Sequence, residues 1–542
     1  MKQQNSQQKR QSQSGLGIYT KLGHTFDVQG KLAALGKALK ASADKGWRDN
    51  YTLAEVAHTI IRYYENNYQR YTGLMDLSKN KIPSFKRNTI CGNILEQYSA
   101  VKRTVEHCSY VQTNIAHCGN VWLCPVCASL IQSRRADEVQ TAIDWAEEHG
   151  HRVAMITYTA SHYANMPLRD FGKKLQLAYR STMHQVARLR KQHEVGNIKA
   201  VEFTYSEMNR WHKHFHVIYI LDKDCHVGQF YEKVRDAWEL QCAKIGLLDT
   251  SNEKAVDSFR KHGCSLSVGG QAVLSAYTNK SASEWTVADE MAKSVIKIGR
   301  NSEHMTPFQI LSTIATTTDE VYRKKLINAF IEYAIHTKGL HQMDWSNGLK
   351  AKVGIADLTD EELADEQTDT AEIVAGLTVA HWHILRSKYM RIRYFKMLKE
   401  ADKQDKSVYQ QIVDFFADAE VAGADCPDVL TAEQTQLLEE YEDREDTTAA
   451  EDEEYKLLQT VLEAVAEATP RTFCASNKHK VSDFIRITES EKEYLRNRQR
   501  WELLDYGVHA TDVDMIKSLD ADTIKAYKQK FTHKMCKQMS LF

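Results

Sequence analysis

The chain has 542 residues, 42% hydrophobic and 26% charged, with a formal net charge of −1; this composition supports folded domains and excludes wholesale disorder. No apolar run reaches the roughly 18 residues of a membrane span. The N-terminal MKQQNSQQKRQSQSG has neither the apolar stretch nor the cleavage site of a secretory signal, so no membrane partner and a cytoplasmic location are expected. The neutral total hides a dipolar chain: residues 1–350 hold 46 Lys+Arg against 33 Asp+Glu, and residues 351–542 hold 25 against 39.

In chain order, residues 1–15 read as a disordered tail, and residues 30–70 carry helical periodicity in KLAALGKALKAS and LAEVAHTIIRYYENNY. Residues 78–90 form a basic, proline-containing linker before a cysteine cluster, and SRRADEVQTAIDWAEEHG predicts a helix closed by Gly150. RVAMITYT (152–159) predicts an apolar strand. LRDFGKKLQLAYRSTMHQVARLRKQH (168–193) predicts an amphipathic helix with Leu175, Ala178, Met183, Val186 and Leu189 inward. NIKAVEFTYS (197–206) and KHFHVIYIL (213–221) predict a hairpin. A helix over 228–246, a short strand over 264–270 and a helix from residue 271 complete the order β-α-β-β-α-β-α. That is the split βαβ, ferredoxin-like arrangement, an antiparallel sheet with the first and third strands central, in a chain of α+β class. Thr306 and Pro307 mark the N-cap and first position of a helical stretch to residue 340. Residues 351–470 hold 11 positive and 29 negative charges, the pattern of a solvated helix face or a disordered segment.

Four sets of residues carry chemistry. In Trp211-His212-Lys213-His214-Phe215-His216, alternation puts His212, His214 and His216 on one strand face. A hairpin can bring Glu202 beside them, which gives nitrogen and carboxylate ligands for a divalent ion with positions left open for a phosphate. The bland alternative is a hydrogen-bonded histidine cluster. Tyr277 and Lys280 share a helix face, with Glu284 one turn on; a nearby cation would make the phenol a feasible nucleophile, although a Tyr-x-x-Lys alone is usually structural. Cys108, Cys118, Cys124 and Cys127 include a Cys-Pro-x-Cys knuckle and suit a structural Zn2+, with Cys91, His107 or His117 as possible substitutes for one ligand. A thiol redox pair is the rival. Finally, Lys173, Lys174, Arg180, Arg188, Arg190 and Lys191 make the 168–193 helix basic; residues 151–200 hold 9 positive and 2 negative charges, which suits a nucleic-acid backbone or a solvated face.

Together these motifs resemble the replication initiator (Rep) proteins of rolling-circle plasmids, within the HUH endonuclease superfamily, over roughly residues 85–350. Ile156-Thr157-Tyr158-Thr159 resembles the family's first motif. Glu202-x-Thr204-Tyr205 with His214-Phe215-His216 resembles the metal motif, Tyr277-x-x-Lys280 the nucleophile motif, and Trp122-x-Cys124-Pro125-x-Cys127 the upstream cysteine segment of one branch. Thr306-Pro307-Phe308 and Gly339-Leu340 through Trp345-Ser346-Asn347-Gly348-Leu349 match that branch's downstream pattern. The tyrosine follows the histidines, as in Rep proteins and some transposases. Val273 stands where some relatives carry a glutamate used in termination.

The resemblance implies a Mg2+ or Mn2+ ion held by His214, His216 and Glu202, nicking of single-stranded or extruded plasmid origin DNA by Tyr277 with Lys280 assisting, a 5′-phosphotyrosine link and a 3′-OH primer. It implies host helicase and polymerase as partners, since no P-loop is present. The domain plan is then a tail and N-terminal helices (1–88), a Cys-rich zinc-binding segment (89–135), an HUH nuclease domain (136–300), a helical extension (301–350) and an acidic, mainly helical C-terminal region (351–542). The alternatives are an HUH transposase, a non-catalytic zinc DNA-binding regulator and a metallo-hydrolase that forms no covalent adduct.

Overall fold

The computed structural model describes residues 28–74, 83–95, 98–104, 110–162, 166–268, 304–365, 371–404, 406–418, 426 and 428–443. The expectations for residues 1–15, Cys108, the helix from residue 271 with Val273, Tyr277, Lys280 and Glu284, and the acidic run after residue 443 lie outside the described residues.

The two apolar-periodic N-terminal stretches form α1 (Val28–Asp44) and α2 (Asn50–Asn67). Asp49 caps α2, its Oδ1 accepting from Thr52 N at 2.9 Å. After α3 (Lys86–Ile90) come β1 (Tyr98–Thr104) and β2 (Tyr110–Gln112). The next helix, α4 (Pro125–Glu148), starts at Pro125 rather than at the expected Ser133. Proline's fixed φ suits the first helical position, so the cysteine knuckle itself opens the helix. Gly150 ends it as expected, at φ +71°.

β3 (Arg152–Tyr158) is followed by α5 (Leu168–Gln185) and α6 (Ala187–His193). The single helix expected over 168–193 is therefore interrupted at Val186, whose φ −94° and ψ 14° leave the helical range. β4 (Glu194–Ser206) and β5 (Arg210–Leu221) form the expected hairpin, and α7 (Val227–Ile245) ends on Gly246 in a left-handed cap. α8 (Glu253–His262), not foreseen from the sequence, precedes β6 (Cys264–Val268). Thr306 and Gln309 form a reciprocal capping box at the start of α9 (Pro307–Thr316), and α10 (Glu320–Thr337) follows. The 339–349 stretch becomes β7 (Met343–Trp345) and the start of α11 (Leu349–Val353); α12 is Asp360–Asp365. Last come β8 (Ala371–Thr378), α13 (Val379–Ser387), α14 (Arg391–Lys399), α15 (Val408–Ala417) and α16 (Ala432–Asp443).

The chain divides into two compact units, each discontinuous in sequence. The first (Met1–Thr89 and His117–Gln367) holds a five-stranded sheet of order β6-β3-β5-β4-β7 in which every neighbouring pair is antiparallel. Alternation divides its side chains between two faces. On one, Val153, Ile198, Ile218 and Ile220 bury against Val139, Ala142, Ile143 and Ala146 of α4. On the other, Tyr158 and Phe215 meet Tyr179 of α5 and Tyr219 meets Phe230 of α7. Each buried large apolar side chain contributes roughly 1.5–3 kcal/mol. The second unit (Ile90–Ala116 and Thr368–Phe542) is built on the sheet β2-β1-β8 and a core of Val101, Leu377, Trp382, Tyr394, Ile412 and Phe416. Residues 90–116 thus belong with the C-terminal chain, not with residues 117–135, and β8 adds a strand to a region expected to be mainly helical.

Candidate functional site

The β4–β5 hairpin pairs Glu202 directly with His214 and Thr204 with His212, while β3 pairs Thr157 with His216. All six therefore project from one sheet face, beyond the end that α4 covers. Glu202 Oε2 lies 2.8 Å from Nε2 of both His214 and His216, and the three ligand atoms lie within 4.8 Å of one another. Two protons or one cation must lie between atoms so placed, because imidazole and carboxylate lone pairs repel. His216 Nδ1 lies 3.0 Å from Thr157 Oγ1. With Nδ1 donating there, the Nε2 lone pair is free for a metal. His214 Nδ1 is buried without a hydrogen-bond partner. Two nitrogens and one carboxylate oxygen fit a divalent ion that keeps open positions.

His212 shares the face but not the cluster. Its Nε2 meets Thr159 Oγ1 at 2.5 Å and its Nδ1 lies 3.4 Å from His162 Nδ1. Enclosure, then the neighbouring His214, His162 and His304, push its pKa down to about 3. It stays neutral near pH 7 and supports the face. Thr157 and Thr159 thus each buttress one histidine, a physical role for the first motif that the sequence left unassigned.

On the opposite face, Lys213 is buried with its Nζ 5.5 Å from the ring centres of Phe203 and Phe215. Burial, with Lys199 adding, lowers its pKa to about 8.

The thiols of Cys91, Cys118, Cys124 and Cys127 also lie within 4.8 Å of one another, all buried. Cys118 Sγ and Cys127 Sγ are 3.7 Å apart. A tetrahedral site with Zn–S near 2.3 Å sets its sulfurs about 3.8 Å apart, so a buried four-thiol group able to bind a metal such as zinc is present. Cys91, one of the substitutes that the sequence offered, joins Cys118, Cys124 and Cys127 in this group, and Cys108 lies outside the described residues.

The basic helix is not beside the Glu–His–His group. Tyr179 and Met183 of α5 pack against Phe215 and Tyr219, so Lys173, Lys174, Arg180, Arg188, Arg190 and Lys191 lie on α5–α6 over the other sheet face. Arg190 is held by Glu194 through two hydrogen bonds of 2.5 and 2.8 Å.

Residues 110–235 match the family model described as replication protein. That stretch is similar to a replication-protein domain. The matched stretch includes Cys118, Cys124, Cys127, Glu202, His214 and His216 and ends before Tyr277. Protein rep of Streptomyces lividans is 22% identical over 390 residues, covering 59% of this chain and 84% of that protein. A protein of Streptomyces cyanogenus named neomycin resistance protein is 28% identical over 139 residues, 20% of this chain and 32% of that protein. No solved structure matches. The resemblance to rolling-circle replication initiators is thereby shown. Among the described residues, no helix is long and apolar enough to cross a membrane.

Proposed function

We propose that this replication protein starts rolling-circle plasmid replication by nicking one strand of its origin. The observation that carries the reading is the convergence of Glu202, His214 and His216 on one point of one sheet face. The strand order β6-β3-β5-β4 supports reading this sheet as the split βαβ, ferredoxin-like core of an HUH nuclease. A bound Mg2+ or Mn2+ would polarise the scissile phosphate. Glu202, His214 and His216 hold that position, and Thr157 fixes the His216 ring. Tyr277 attacks the phosphorus, forming a 5′-phosphotyrosine bond; the released 3′ oxygen takes up a proton and becomes the primer hydroxyl. Lys280 neutralises charge on the phosphate. Zn2+ on the four thiols is structural. Host helicase and polymerase extend the nick, and the acidic C-terminal region is a docking surface for the helicase, which a pull-down with residues 351–542 deleted tests.

The deciding experiment incubates the protein with single-stranded origin oligonucleotides and Mn2+. A DNA-linked protein band that disappears in Tyr277→Phe and in His214→Ala is expected. Persistence in Tyr277→Phe moves the nucleophile elsewhere, and hydrolysis without any linked band favours a metallo-hydrolase.

A further inference from the structure

The helix pair α5–α7 forms an open cleft of about 730 Å³ on the sheet face away from Glu202, His214 and His216. Arg180, His184 and Lys244 line it together with Gln185, Gln241 and Leu240, and no carboxylate does. Gln241 Nε2 donates to Gln185 Oε1 at 2.6 Å, tying the two helices together across the cleft. Several cations nearby are already neutralised: Arg190 by Glu194, Arg235 by Asp236, and Arg260 by Glu239. Arg180 and Lys244 have no ion pair among the described residues, and neither do Lys174, Arg188 and Lys191. These unpaired cations continue along α5 and α6 from Lys174 to Lys191, a helical path of roughly 25 Å. Isolated positive charges strung over that length, with amide donors between them, complement a regularly repeating polyanion better than a compact ligand.

We propose that this face binds the phosphate backbone of double-stranded DNA, separately from the single strand that reaches the Glu–His–His group. The sheet lies between the two surfaces, so one molecule can hold duplex on one side while a nick is made on the other. The nature of the partner rests on the proposed replication function; the surface itself rests on the cleft and its unpaired charges.

The test uses the full chain and fluorescence anisotropy of a labelled origin duplex of about three turns, titrated across salt concentrations. Each phosphate contact adds about 0.9 to the slope of log affinity against log salt. Arg180→Ala with Lys244→Ala should lower that slope by about 1.8 and weaken binding at least roughly tenfold near 0.1 M salt. Arg180→Lys with native Lys244 should keep the slope, and His214→Ala should leave it as in the unmodified protein. A slope unchanged by the double substitution overturns the proposal, as does an equal drop in His214→Ala. Loss of poly-L-glutamate binding with duplex binding intact overturns it too and assigns the cleft to an acidic polypeptide. The measurement needs no covalent adduct, so absence of nicking would refute the proposed function while leaving this inference to stand or fall on the slope.

Discussion

The four thiols are 0–3% exposed, whereas the Glu202, His214 and His216 side chains are 6%, 14% and 8% exposed. The thiol group offers four like ligands in a closed set; the Glu–His–His group offers three mixed ligands and leaves coordination positions unfilled. A closed set gives a metal nothing to do but hold the chain, and an open set admits a substrate oxygen. On the proposed function the two clusters divide stability from chemistry, and perturbing each should produce opposite signatures.

The largest effect is expected at the thiols. Cys124→Ser removes a ligand that is fully buried, leaving a hydroxyl that binds zinc poorly in a site whose binding energy is coupled to folding. On the proposed structural-zinc reading, the variant should lose bound zinc, read by elemental analysis, and most of its soluble, cooperatively melting form. Retention of both with an unchanged melting temperature would dissolve the contrast between the two clusters.

Next in size, His214→Ala and Glu202→Gln should each lower Mn2+-dependent adduct formation on single-stranded DNA by about a hundredfold or more, an effect in the range of removing a principal electrostatic contributor. Melting of the metal-free protein should fall far less than in Cys124→Ser, since the ligands bury little apolar surface. Replacing His212 separates support from ligation: His212→Gln should reduce activity less than His214→Ala and leave the stoichiometry of bound Mn2+ unchanged.

A third test contrasts histidines of different kinds. His336 lies behind the sheet beside Phe203, its Nε2 buried without a partner. Enclosure, with Lys213 adding, lowers its pKa to about 3. The unfolded chain, with His near 6.5, binds the proton over the intervening range. His336 therefore contributes stability that is full above about pH 6.5 and is lost as pH falls towards 3, with a slope of up to about 1.4 kcal/mol per pH unit. In urea titrations, His336→Leu should flatten that part of the acid limb. His212 shifts in the same direction, so a residual slope is expected.

Much of this was legible in the sequence, for a physical reason: strand alternation fixes faces whatever the tertiary context. The placement of His214 and His216, and of Glu202 across a short hairpin, followed from period and turn length. The finer register did not, because it depends on Arg210 adopting φ +61° while its guanidinium reaches Glu332 of α10 at 3.2 Å, a contact from more than a hundred residues away. Spacing alone likewise could not choose among Cys91, Cys108, His107 and His117 for the fourth ligand, because that choice rests on long-range contacts. Helix periodicity shows which side is buried, but not which sheet face it covers.

The 339–349 stretch, specific as a string yet without evident chemistry, supplies the smallest prediction. β7 pairs with β4 at Ile198, Lys199 and Ala200, on the strand that carries Glu202. Ser346 Oγ accepts from Asn197 N at 2.9 Å, and Leu349 closes over Gly196. A Cβ at Gly196 would lie 2.8 Å from Leu349 Cδ1 and 3.1 Å from Ser346 Oγ. The leucine methyls can rotate away, so Gly196→Ala should cost about 1 kcal/mol, at the low end for overpacking, read as a lower urea midpoint with unchanged m-value. Because Glu202 lies six residues further along the same strand, adduct formation should stay within about twofold of the unmodified protein. A larger loss would mean that this edge strand sets the position of the carboxylate ligand and belongs with the chemistry rather than with the scaffold.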